Sequence, residues 1–219
     1  MSRIHLGSSC NLRRRLSLQA VFATAFALPD AVVPYPTTHQ WPSDPRKTPM
    51  QNNHHMPAGI HDFDFLLGHW HVKNRRLVKR LQNNHDWEVF GATQQNVALP
   101  GGIGNFDDFI AETWRPGYVG MSLRLFNPQT QLWSIYWLDN QTAGVAPSGI
   151  LLPPVVGKFD AGLGVFEGDD ELEGRPIRVR YTWSNMTPIS ARWEQAMSAD
   201  SGKTWEMNWR MDFERSAKA

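Results

Sequence analysis

The sequence predicts an all-β protein: a single antiparallel β-barrel of about eight to ten strands, entered through a short helical turn. Three observations carry this expectation. From Trp70 to the end of the chain, short stretches of period-two alternation recur, and no helical period competes with them. Nearly every gap between them holds turn residues, such as Arg115-Pro116-Gly117, Asn127-Pro128-Gln129, Asp160-Ala161-Gly162 and Glu173-Gly174-Arg175. The 10 Trp, 11 Phe and 4 Tyr supply rings of large apolar area, which suit an aromatic interior. An antiparallel sandwich is the runner-up architecture.

With 219 residues the chain supports one sizeable core rather than two. Its 22 basic and 21 acidic side chains nearly cancel, so no whole-molecule field would gather nucleic acid or an anionic membrane. Cys10 stands alone, far from the patterned region, which excludes an internal disulfide there and fits a reducing compartment. The expected location is cytoplasmic, with a secreted or periplasmic protein as the minority reading.

Residues 1–58 read as a disordered leader outside the fold. Arg13-Arg14-Arg15, the apolar run Leu16 to Leu28 and Ala25-Phe26-Ala27 have the layout of a secretory signal, although Gln19 and Thr24 dilute it. The run is too short to span a bilayer. Pro34, Pro36, Pro42, Pro45 and Pro57 discourage helix and interior strand alike, and Met50 and Met56 offer alternative starts just before the patterned region. The barrel is expected over 59–215, with 216–219 as a tail.

Asp62-Phe63-Asp64-Phe65-Leu66-Leu67 forms the expected helical turn, with acids at its start and Gly68 stopping it. The period then changes to two. Trp70, Val72, Asn74, Arg76 and Val78 share one face of the first strand, and His71, Lys73, Arg75 and Lys79 share the solvated one. Later strand candidates are Trp87 to Val97, Asp108 to Trp114, Met121 to Phe126, Leu132 to Leu138, Val155 to Asp160, Gly164 to Asp169, Pro176 to Trp183, Ala191 to Met197 and Trp205 to Phe213. In the last three, Ile177, Val179, Tyr181, Trp183, Trp193, Gln195, Met197, Trp205, Met207, Trp209, Met211 and Phe213 point inward. The intervening Arg and Glu residues form a solvated outer ladder.

Gly68-His69-Trp70, at the head of the first strand, resembles the Gly-x-Trp of lipocalins and other calycins. Phe63 to Trp70, Ser122-Leu123-Arg124-Leu125-Phe126, Arg192-Trp193-Glu194-Gln195 and Ser198 to Trp205 together resemble a family of uncharacterised bacterial calycin-like (lipocalin-like) domains. The resemblance covers roughly residues 60–215. It implies an up-and-down barrel whose Trp70 plugs one end, with Arg215 or Arg210 over the ring, a cation–π contact worth ~0.5–2 kcal/mol. It implies no established activity.

Ser198-Ala199-Asp200-Ser201-Gly202-Lys203-Thr204-Trp205 also fits the Asp-box of sialidase propeller blades. One copy cannot build a propeller, so the motif reads as a hairpin device in which Asp200 bonds the backbone and Trp205 packs beneath the turn. Among the remaining signals, His54-His55 is a chance polar pair in the leader. His69 and His71 share a strand face with Lys73 and Arg75, which repel a cation; no metal is expected. Pro100-Gly101-Gly102-Ile103-Gly104 lacks the Lys-Ser/Thr of a phosphate loop and reads as a turn. Asp107-Asp108 and Asp169-Asp170 read as solvated loop acids, with a base at a barrel mouth as the functional alternative. The sequons Asn140-Gln141-Thr142 and Asn185-Met186-Thr187 matter only in a glycosylating cell.

These residues point to a pocket rather than to a reaction, since no complete catalytic signature is present. The expected function is binding of a small apolar or aromatic ligand in the lumen, contacted by Asn74, Arg76, Tyr136, Tyr181, Trp183, Trp193, Gln195 and Trp209. Arg76 is the residue expected to meet an anionic or carbonyl oxygen, unless it snorkels to water or pairs with Glu112. The alternative is a cofactor-free isomerase, cyclase or decarboxylase using Asn74, Arg76, Tyr181 and Gln195. A haem protein similar to nitrobindin ranks last, because no His falls in the inward series. Neither cofactor, nucleic acid nor membrane is expected as a partner; a small hydrophobic molecule is, and a homodimer is allowed.

Overall fold

The computed structural model describes residues 57–216. The leader, with Cys10, the signal-like run and His54-His55, lies outside the described residues.

Ten antiparallel strands close into one barrel. They are β1 (Gly68–Leu77), β2 (Trp87–Ala98), β3 (Gly104–Ile110), β4 (Val119–Asn127), β5 (Leu132–Asp139), β6 (Val155–Asp160), β7 (Leu163–Leu172), β8 (Arg175–Ser184), β9 (Ser190–Ser198) and β10 (Glu206–Arg215). Each pairs with its neighbours in sequence, and β1 pairs with β10 to complete the ring. The helical turn ahead of β1 is a single 3-10 turn, Asp64–Leu66. Ser216, assigned to the tail by sequence, donates its amide to the His69 carbonyl and so continues the β1–β10 ladder.

Closure follows from the alternation. Trp70, Val72 and Asn74 of β1 are buried while His69, His71, Lys73 and Arg75 between them are exposed. Val78 departs from the expected face and stands exposed, because the strand ends at Leu77 and that side chain turns into the core. The lengths of the paired segments are uneven. β1 and β2 are registered along the whole of Gly68–Leu77, whereas β5 and β6 are registered only from Trp133 to Ile135 against Val155 to Gly157. Beyond that short seam, residues 140–154 run as a loop whose Leu152 and Pro153 reach the barrel mouth.

The opposite end is sealed. Phe63, fully buried in the entry turn, meets the edges of Trp133, Phe159 and Trp183 at ring-centroid distances of 4.9, 4.9 and 6.0 Å. Trp70, also buried, stands edge to face with Phe213 and donates its indole N–H to the Leu66 carbonyl at 2.6 Å. Arg215, not Arg210, covers the Trp70 ring, and it also donates to the carbonyls of Leu67, Phe65 and Pro188. Gly68 makes room for it: its φ is 109°, and a Cβ there would sit 2.9 Å from an Arg215 guanidinium nitrogen. Arg210 lies on the outer face, where it and Arg192 pair with Asp212, as Arg178 and Arg180 pair with Glu167. The outer charged ladder is thus an ion-paired surface.

The β9–β10 turn corrects one inward assignment. A bulge between Met207 and Trp209 reverses the alternation, so Asn208 is buried, Met207 is exposed, and Trp205 lies under the Arg180 guanidinium at 3.9 Å on the outside. The Asp-box works as a hairpin clasp. Asp200 Oδ1 accepts from Ser198 Oγ and the Thr204 amide, Asp200 Oδ2 accepts from Thr204 Oγ1 at 2.6 Å, and Trp205 Nε1 donates to the Gly202 carbonyl.

Candidate ligand-binding lumen

A cavity of about 600 Å³ opens at the end of the barrel away from Trp70. Aromatic side chains from four strands, β5, β8, β9 and β10, and from the β3–β4 loop form its walls, those of the strands carried inward by the same alternation. Trp193 stands between Tyr181 at 4.9 Å and Trp209 at 5.9 Å, both edge to face, and Trp114 from the β3–β4 loop stacks flat on Phe90 at 4.4 Å. Trp137 of β5 closes the wall between Phe109 and the loop residue Leu152.

Of the eight residues expected at the site, six line this cavity: Arg76, Tyr181, Trp183, Trp193, Gln195 and Trp209. Asn74 is inside the barrel and fully buried, but it is occupied in the wall, accepting from Trp209 Nε1 at 3.0 Å and donating to the Val72 carbonyl. Tyr136 is placed on the other side of the sheet. Its neighbours Ile135 and Trp137 line the cavity, so Tyr136 faces out beside Leu123.

Arg76 finds a partner other than Glu112. Its guanidinium lies 3.0 Å from Glu88, directly across on β2, and sits between the Trp114 and Trp209 rings at 5.3 and 5.1 Å. Glu88 also accepts the Trp114 indole N–H. Burial raises the Tyr181 phenol well above its ordinary value, with a smaller contribution from Asp170, so the ring presents a neutral hydroxyl to the lumen. Tyr181 and Gln195 are cross-strand partners, and the side-chain amide of Gln195 makes no hydrogen bond to the described residues.

The floor was not legible as a site. Arg124 of β4 is 3% exposed, and its Nη2 lies 2.6 Å from the carboxylate of Asp107, which is 0% exposed on β3. Asp107 is therefore not a solvated loop acid. Gln94 and the Ser122 amide also donate to it, while Asn105 and Asn96 accept from Arg124. Burial pushes the Asp107 carboxyl up, and the adjacent Arg124 charge opposes that shift. The signal available in sequence was parity: Ser122 and Arg124 share a face with Phe126.

The mouth is charged. Arg80 and Arg115 stand on the side of Arg76, and Asp169, Asp170 and Glu171 of β7 stand at the same opening. His69 and His71 stay on the outer face, and among the described residues no three His, Cys, Asp or Glu side chains gather as a metal site. No helix among the described residues is long and apolar enough to cross a membrane. Comparison of the chain with protein-family models and with curated proteins finds no match in either.

Proposed function

We propose that this barrel binds a small apolar or aromatic ligand in its lumen. The observation that carries the reading is the cavity itself: about 600 Å³, walled by Trp114, Trp137, Trp193 and Trp209, and sealed at one end only. A volume of that order accommodates one drug-sized molecule, and burying a ring against such walls gains roughly 25 cal/mol per Å² of apolar area. The floor supports an apolar guest, because the Arg124 charge is neutralised by Asp107 and offers no free cation at depth. Tyr181 and Gln195 supply the few neutral polar groups that orient a ligand in such a pocket.

The reading is tested by titrating the neutral fluorophore N-phenyl-1-naphthylamine into the wild type, Trp193→Ala and Trp205→Ala, with folding checked by circular dichroism. Trp193 walls the lumen and Trp205 packs outside it. Trp193→Ala weakens binding roughly tenfold, the effect of losing part of one aromatic wall, while Trp205→Ala leaves it unchanged. Equal affinity in all three folded proteins removes the site from the lumen.

A further inference from the structure

We infer that the ligand is an amphipathic anion, its aromatic body in the lumen and its negative group held at the mouth by Arg80 together with Arg76 and Arg115. The inference rests on the lumen being the binding site. Its starting point is Arg80, in the β1–β2 loop. This side chain lines the cavity and is partly buried, yet among the described residues it makes neither a hydrogen bond nor an ion pair. A guanidinium carries five donors, and withdrawing it from water without a partner is unfavourable.

Its surroundings sharpen the point. Burial, and then the neighbouring charge of Arg76, make the protonated form of Arg80 harder to hold than that of a free arginine; Glu173 and Asp170 oppose this without reversing it, and Arg115 adds a smaller push in the same direction as Arg76. Arg76 has one carboxylate, Glu88, and its Nε is buried with no hydrogen-bond acceptor. Arg115 is turned onto the Trp114 ring at 4.2 Å and has no ion pair among the described residues. Three cations therefore meet at one side of the opening, and among the described residues Glu88 is the one acid that forms an ion pair with any of them.

The acids at the same opening do not cancel this arrangement. Asp169 is engaged by Arg178 at 3.5 Å on the outer face and Glu173 by Arg175 at 3.6 Å, and Asp170, Glu171 and Glu173 are exposed to water, which screens the pull of Asp170 and Glu173 on Arg80. Arg76 and Arg80 are less accessible, so their field is stronger where a ligand would sit. An anion there completes the hydrogen bonding of the guanidinium forks, while its apolar part reaches Trp114 and Trp209 below.

The test compares two fluorophores of the same aromatic frame. N-phenyl-1-naphthylamine is neutral, and 1-anilinonaphthalene-8-sulfonate adds one sulfonate. At low ionic strength the wild type binds the sulfonate roughly fivefold or more tightly, and added salt reduces that preference. Arg80→Met abolishes the preference without changing affinity for the neutral compound, and Arg80→Lys retains part of it. Equal binding of both compounds by the wild type overturns the inference and leaves the lumen reading standing. So does an Arg80→Met variant that weakens both compounds alike. Binding of neither compound overturns the lumen reading itself.

Discussion

The Arg215 guanidinium lies 4.2 Å from the centroid of the Trp70 ring while three of its N–H groups are spent on the carbonyls of Phe65, Leu67 and Pro188. One side chain from the last strand thereby holds the entry turn, the plug and the β8–β9 turn together. Trp70→Ala leaves a cavity under that guanidinium and costs ~3–5 kcal/mol, and Arg215→Met costs ~1–3 kcal/mol. Urea unfolding measures both, and a Trp70→Ala protein as stable as the wild type contradicts the plug assignment.

Arg124→Met strands the Asp107 carboxylate without its cation and costs ~3–5 kcal/mol near neutral pH. Asp107 takes up its proton at higher pH in the folded protein than in the unfolded chain, so ionising it costs stability as pH rises through its folded value. Removing Arg124 leaves burial unopposed and enlarges that cost. The stability gap between Arg124→Met and wild type is therefore expected to be wider at about pH 7 than at about pH 4, which urea titrations at the two pH values will check. A gap independent of pH rules out Asp107 as the cause.

Asp200 behaves in the opposite sense. Hydrogen bonds from Thr204 and Ser198 hold its carboxyl well below the usual carboxylate range. Its contribution is present above the unfolded value near about 4 and is lost as pH falls through the lower folded value. Asp200→Asn removes that acid limb and speeds amide exchange at Thr204, which donates its N–H to the carboxylate. Unaltered exchange at Thr204 contradicts the clasp.

Gly157 of β6 faces Trp133 on one side and Phe166 on the other, and a Cβ there would fall 2.8 Å from Phe166 Cα. The obstacle is backbone, which yields only if the strands separate. Gly157→Ala costs about 1–3 kcal/mol by thermal unfolding, the range for overpacking. An unchanged melting temperature means that β6 and β7 lie farther apart than the register shows.

The ring of strands was readable because turn residues punctuate it and because inward aromatic residues alternate with outward charges in β1, β8 and β9. Parity failed where its contrast failed. In β5, Leu132, Ser134, Tyr136 and Leu138 are hardly more polar than Trp133, Ile135 and Trp137, so nothing local places Tyr136 outside. In β10 the bulge ahead of Trp209 shifts the count by one residue, and the expected inward Trp205 and Met207 become outward. The Asp107–Arg124 pair was hidden for a different reason. A charged side chain at an inward position reads as solvated unless its partner on the next strand is known, and that requires register. Glu88 rather than Glu112 reaches Arg76 for the same reason: the β1–β2 register sets them opposite each other.

Because β1 closes on β10, every strand has a neighbour on both sides, and the barrel offers no ready template for another chain. That protection is thinnest where β5 meets β6 over Trp133 to Ile135 alone. When the ring parts there on heating, it bares Leu132-Trp133-Ser134-Ile135-Tyr136-Trp137-Leu138, an uncharged run rich in aromatic and β-branched residues without proline. Such a segment adds strands from other molecules as readily as it accepts its own. Heated solutions of this protein will therefore cloud before they refold, and a charge placed at outward-facing Tyr136 should delay the clouding without reaching the lumen.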